Sequence, residues 1–272
     1  MKFILHDLAF ETTRRCNLHC AHCMRGTSQN IDLTPEVIDA FFDNNEFERI
    51  DHICFSGGEP TLNPTIIIYT IDKIIRENID VRDIAMVTNG QVFVPELVEA
   101  FHRFNEYRNS YIIESIARED GTISELGRCI VDSNMDNHVR ITFSTDRFHE
   151  DINSEVERKY MENGKGLKIT KFAVGDDDIY KTGFSTFGQS FEYQLSLLRY
   201  TKESDAYFIL DNIYMTSTGY LTSEGNGQYI DMDHMNMGHV SDTSIEEALV
   251  NYGQAIFDTP PITSSHPKIK KI

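Results

Sequence analysis

The chain has no run of about 18 apolar residues, the length a membrane-spanning helix requires, so no membrane span is expected. Basic residues are scarce: 25 Lys and Arg stand against 43 Asp and Glu, a formal net charge of -18. A general nucleic-acid or anionic-membrane binder needs a basic face. Neither partner is therefore expected, although a small local basic patch remains compatible with the composition. The opening residues Met1, Lys2, Phe3 and Ile4 lack the layout of a signal peptide, because acidic and polar residues follow within a few positions. There are five cysteines, an odd number with three of them clustered, which does not suit a secreted disulfide framework. A reducing, cytoplasmic compartment is expected. The 272 residues, 40% of them hydrophobic, can bury a sizeable core, and one domain with an appendage is the natural count.

The clustered thiols are Cys16, Cys20 and Cys23, spaced C-x3-C-x2-C. The apolar, β-branched residues 3–12 before them read as a first strand, so the thiols lie on the loop that follows it. Structural zinc takes four closed ligands, and an ordinary iron–sulfur cluster takes four cysteines. Three thiolates leave one metal corner open for chemistry. A zinc site completed by His19 or His22, and three inert thiols, are the other readings of the spacing; ligand softness favours iron–sulfur.

A second apolar run, residues 50–55, reads as a strand and ends in Gly57, Gly58, Glu59 and Pro60. Paired glycines at a strand end permit close approach of the backbone to a ligand, and in α/β sheets ligands sit beyond the carboxyl ends of the strands. The thiol loop and the Gly-Gly-Glu-Pro loop are therefore expected to face one cavity.

Together these two motifs resemble those of radical S-adenosylmethionine (radical SAM) enzymes, over roughly residues 3–215. The resemblance implies that Cys16, Cys20 and Cys23 hold a [4Fe–4S] cluster whose open iron is chelated by SAM. It puts the backbone at His22 against the adenine and Gly57, Gly58, Glu59 and Pro60 at the methionine amino group. It implies a flavodoxin- or ferredoxin-type electron donor, reductive cleavage of SAM to a 5′-deoxyadenosyl radical, and hydrogen abstraction from a substrate. The implied fold is α/β, a partial (β/α)6 barrel, with a core at residues 1–215 and a small C-terminal extension at 216–272.

Thr34 and Pro35 open a helix carrying Val37, Ile38, Phe41 and Phe42 on one face. Another helix starts near residue 65. Residues 84–87 form a short strand ending in Thr88, Asn89 and Gly90, which line the SAM cavity in the family and otherwise serve as a turn. A third helix is expected over 95–104, irregular chain over 106–138 with a helical piece at 123–131, and a clear strand at 139–144. Ser144 and Asp146 at its end resemble the family's polar pair that meets SAM. His149 just beyond is either a proton carrier or a solvated loop residue. A charged helix at 153–161 and strands at 167–174 and 207–215 complete the alternation that argues for a parallel sheet. Cys54 and Cys129 read as buried thiols, and residues 175–178 as a solvated acidic loop. Phe184 stands where many family members carry an arginine. The tail, around Gly219 to Glu224, Met237 to Val240 and Ser244 to Leu249, resembles the SPASM or twitch extensions of peptide-modifying members, without their cysteines; Ser223 stands where a first ligand is expected. A peptide is thus the leading substrate expectation, a nucleotide or sugar the runner-up, and a non-enzymatic zinc- or cluster-binding interaction protein the alternative from another class.

Overall fold

The computed structural model describes residues 1–20, 22–118, 121–134, 138–145, 149–173, 195–257 and 262, with side chains left aside for 130–134. Strand β1 (Lys2–Glu11) is buried on both faces along most of its length, which is why it reads as a nearly continuous apolar run rather than an alternating one. It leads through the thiol loop to helix α1 (Pro35–Asp43), strand β2 (Glu46–Ser56), a short 3-10 turn (Pro60–Leu62), helix α2 (Pro64–Glu77) and strand β3 (Val81–Thr88). Helices α3 (Pro95–Ile116) and α4 (Glu125–Asn134) then precede strand β4 (Val139–Ser144), helix α5 (Ser154–Asn163) and strand β5 (Lys168–Phe172). Thr34 takes the extended N-cap conformation before α1, and Pro35 opens the helix, but the threonine side chain makes no capping bond.

Among the described residues one nine-stranded sheet forms, in the order β5-β4-β3-β2-β1, then β7 (Ala206–Met215), β6 (Leu198–Glu203) and β9 (Gly253–Ala255), with β8 (Leu221–Thr222) off this path beside β7. The five strands β1 to β5 pair in parallel, in sequence order, with helices in the connections. This is the α/β architecture expected from the alternation. The sixth parallel strand, β7 (Ala206–Met215), lies beside β1, on the side away from β2. Strand β6 (Leu198–Glu203) pairs antiparallel with β7. It was not anticipated, because the alternation of its Leu198, Tyr200 and charged residues is too short to stand out from a loop.

The extension shares this sheet. Strand β8 (Leu221–Thr222) forms a hairpin with β7, and β9 (Gly253–Ala255) pairs with β6. Between them lie helices α6 (Tyr229–His234) and α7 (Ile245–Tyr252). A reciprocal capping box of Ser244 and Glu247 starts α7. Its Ile245, Ala248 and Leu249 belong to the same buried cluster as Phe10, Phe41 and Phe55.

Three local expectations are corrected. Helix α3 runs unbroken to Ile116 rather than stopping near residue 104, because its inner face continues through polar residues. Asn105 and Arg108 are buried there, the arginine bonded to Asp80 at 2.6 Å, so apolar periodicity fades while the helix goes on. Cys129 is exposed, not buried, and Cys54 is only partly buried, beside Ala9 and Tyr214. The loop at 175–178, Phe184 and Asp146 lie outside the described residues. No helix among the described residues is long and apolar enough to cross a membrane.

Candidate active site

Parallel pairing brings the carboxyl ends of neighbouring strands to one edge of the sheet, where Glu11 faces Ser56, Phe55 faces Met86, Thr88 faces Phe143 and Phe10 faces Met215. The loops leaving these ends enclose a cavity of about 270 Å³. Cys16, Cys20, Cys23 and His22 line it from the first loop, Gly57, Gly58 and Glu59 from the second, Thr88 and Asn89 from the third, and Ser144 and His149 from the fourth. Pro60 is buried at the start of the 3-10 turn and does not line the cavity. A larger cleft of about 470 Å³, between Asn44 and residues 241–247, holds no thiol.

The thiol loop and the Gly-Gly-Glu-Pro loop are joined main chain to main chain. The Gly58 N–H donates to the Thr13 carbonyl at 2.7 Å and the Glu59 N–H to the Arg15 carbonyl at 2.8 Å. This contact explains the glycines. Gly57 has φ +138°, and a Cβ there would strike the Thr13 carbonyl oxygen; one on Gly58 would strike the Arg15 carbonyl. The close backbone approach anticipated from the paired glycines is thus made to the chain's own thiol loop.

Glu59 is a brace between loops. Its carboxylate is 1% exposed. One oxygen accepts from the Thr61 N–H, the Thr61 hydroxyl and the Thr88 hydroxyl, and the other from the Asn89 N–H at 2.8 Å. Burial pushes the Glu59 carboxyl up, while these donors favour its charged form. Asn89 extends the brace, its side-chain amide donating to Asn17 Oδ1 in the thiol loop at 2.8 Å. Thr88 and Asn89 therefore line the cavity with polar groups already engaged in holding the loops together.

Within the thiol loop, the Cys23 N–H donates to the Cys20 carbonyl in a tight turn, and the Cys16 N–H donates to Ser28 Oγ. The Leu18 N–H approaches Cys16 Sγ at 3.5 Å. Burial pushes the Cys16 thiol up, partly opposed by that N–H. His22 is buried, its ring edge-on to His149 with centroids 4.7 Å apart.

Both flanks of the loop are gripped by the extension. Arg14, 1% exposed, donates to Glu11 at 2.9 Å and to both Asp233 oxygens at 2.6 Å, and its guanidinium lies over the Tyr229 ring. On the other flank the Tyr229 N–H donates to the Arg25 carbonyl, and the Arg25 guanidinium lies over Tyr214. Sequence reasoning missed both arginines. Arg25, two positions after Cys23, carried a signal in its nearness to the thiols; Arg14 is matched to Asp233 across 219 positions, which no local pattern reveals.

The donor set fits a cluster. Three soft thiolates line one cavity, and such ligands suit an iron–sulfur group, whose thiolates bind separate irons.

Residues 10–112 match the model of the Radical SAM superfamily. The AdoMet-dependent heme synthase of Methanosarcina barkeri (strain Fusaro / DSM 804) is 28% identical over 116 residues, covering 41% of this chain and 32% of that protein. The GTP 3',8-cyclase of Aquifex aeolicus (strain VF5) is 32% identical over 123 residues, covering 42% of this chain and 37% of that protein. The chain thus spans about a third of the length of these curated relatives. Among solved structures, "Native anSMEcpe with bound AdoMet and Cp18Cys peptide" superposes with a TM-score of 0.44 at 12% identity, over 90% of this chain and 80% of that one.

Proposed function

We propose, from the premise that residues 10–112 belong to the radical SAM superfamily, that the chain is an enzyme that cleaves SAM reductively and abstracts hydrogen from a peptide. The observation that carries the reading is the convergence of the three thiols and the strand-end loops on one cavity. Cys16, Cys20 and Cys23 would hold a [4Fe–4S] cluster. When bound with SAM, that cluster supplies the electron that breaks the S–C5′ bond and so a 5′-deoxyadenosyl radical. Gly57 and Gly58 would offer backbone to the methionine end, His22 and Ser144 would meet the nucleoside, and Asp146 is assigned with Ser144 by motif. Glu59, Thr88, Asn89 and Pro60 would set the loop positions on which those contacts depend. The protein's share of the work is orientation and the exclusion of water, and a brace of buried hydrogen bonds around Glu59 serves the first.

The peptide reading is supported by the outline of the extension, residues 216–272, which resembles the SPASM or twitch extensions of peptide-modifying members. A second reading, a small molecule such as a nucleotide or sugar, is favoured by the two curated relatives, whose names describe a heme synthase and a GTP cyclase. A one-electron donor of the flavodoxin or ferredoxin type would serve either.

The test is anaerobic reconstitution with iron and sulfide, then reduction with SAM present and mass spectrometry for 5′-deoxyadenosine. The nucleoside is expected from the native chain and not from Cys20→Ala. A loaded, reducible cluster that yields none would refute the reading, and zinc in place of iron would favour an interaction protein.

A further inference from the structure

Arg25 lines the cavity beside Cys23, and among the described residues its charge has no carboxylate to pair with. Its Nη1 lies 3.2 Å from the thioether sulfur of Met232, and its guanidinium carbon is 4.8 Å from the centre of the Tyr214 ring. A ring face and a thioether are weak partners for a group with five donors. No Asp or Glu among the described residues makes an ion pair with it. Glu11, the buried carboxylate whose field reaches it, is already occupied by Arg14, the Ser217 N–H and the Tyr214 hydroxyl. A partly buried cation left unpaired is costly. A guanidinium propped over an aromatic ring is well placed to grip a planar oxyanion.

The sheet order says on which side that anion lies. Apart from His22 in the thiol loop, the residues assigned to SAM leave the ends of β2, β3 and β4. Arg25 rests instead on Tyr214, near the end of β7, and on Met232 of α6, and β7 flanks β1 on the side away from β2. An anion held by Arg25 therefore lies on the β7 side of the shared cavity, away from the loops that leave β2, β3 and β4. We infer that Arg25 binds a carboxylate of the substrate, and that the substrate is a peptide presenting an acidic side chain or a free C-terminus beside the thiol loop. Tyr214 and Met232 form the shelf that holds the guanidinium. The inference rests on the peptide reading above and adds the chemistry of the group recognised.

The chain's own charge sharpens the test. At a net charge of -18, long-range attraction favours basic peptides, so preference for an acidic one isolates a local cation. Two fluorescent heptapeptide pools would be compared on the reconstituted full chain by anisotropy. One carries Asp and Glu with a free C-terminus; the other has Asn and Gln in their places and an amidated C-terminus. The acidic pool is expected to bind about tenfold tighter than the neutral one, and Arg25→Gln to remove about that factor, the scale of one charge-assisted hydrogen bond. Arg25→Lys, which keeps the charge but not the fork, is expected to fall between. Equal binding of the two pools by the native chain would overturn the inference and needs no variant. So would a loss in Arg25→Gln that falls on the dissociation constant of SAM or on the cluster midpoint potential, with the acidic pool unaffected. Measuring 5′-deoxyadenosine in the same preparation separates the failures. If it forms and the pools bind alike, only this inference falls; if it does not form from a loaded, reducible cluster, the enzyme reading falls first.

Discussion

Arg14 offers a direct test of how the extension is held to the thiol loop. Changing Arg14→Met keeps an apolar stem in the buried slot and removes the guanidinium. Glu11, 0% exposed, would keep the Ser217 N–H at 2.8 Å and the Tyr214 hydroxyl at 3.3 Å but lose its counter-charge. Breaking a buried pair by removing one partner costs about 3–5 kcal/mol. The Asp233 side chain is 27% exposed and regains water, so the lower part of that range, about 3 kcal/mol, is expected. Asp233→Asn is milder. Arg14 retains Glu11 at 2.9 Å, while one charge and one of the two acceptor oxygens facing the guanidinium are lost, which is worth about 1.5–2 kcal/mol. The double variant should cost less than the two singles together, by about 1 kcal/mol or more, because both remove one interaction. Denaturant unfolding of the reduced apo-protein measures all three. For a chain of this size the single losses correspond to about 5 °C and about 3 °C in melting temperature. Two single variants within about 0.5 kcal/mol of native, or Asp233→Asn costing more than Arg14→Met, would refute the reasoning.

Three further outcomes follow from the same contacts. Glu59→Gln places an amide NH2 against either the Asn89 N–H or the Thr61 donors; a loss of about 2–3 kcal/mol and weaker SAM binding by equilibrium dialysis are expected, and native-like values of both would remove Glu59 from the brace. Gly58→Ala drives a methyl into the Arg15 carbonyl and should lower the iron bound after reconstitution, whereas Gly166→Ala, where a Cβ meets nothing within 4 Å, should bind native amounts despite its own backbone strain. Burial pushes the Cys54 thiol up to about 11. Alkylation at pH 8 followed by mass spectrometry should therefore label exposed Cys129 well before Cys54. The same shift sets a sign for stability. The folded state holds the Cys54 proton more tightly, so this contribution is complete below the unfolded value of about 8.5 and is lost as pH rises towards 11. Cys54→Ala should flatten that alkaline decline, and an unchanged slope would argue against it.

Much of the candidate site was legible because its parts are short and local. A loop that presents three thiols needs them a few residues apart, and a strand end that passes close to another backbone needs glycine there. Those requirements leave marks at Cys16, Cys20 and Cys23 and at Gly57 and Gly58. Roles were harder to read than positions. Glu59, Thr88 and Asn89 are cavity residues by motif, yet their polar groups are spent on one another, and only the three-dimensional hydrogen-bond network distinguishes a ligand contact from a brace. Helix α3 was cut short for a related reason: its inner face at Asn105 and Arg108 is polar, and apolar periodicity cannot register a face satisfied by hydrogen bonds.

By itself the sequence determined the chemistry of the donors, the alternation of strands and helices, and the loops that carry the motifs, since each depends on residues near one another in the chain. The tertiary structure alone decided that β7 lies against β1, that Asp233 answers Arg14, and that Arg25 stands in the cavity on Tyr214 without a counter-ion among the described residues. Pairings over such separations are selected by burial. A fully buried charge such as Arg14 is costly unless an opposite charge meets it where the chain returns, and the sequence records both residues without recording that they meet.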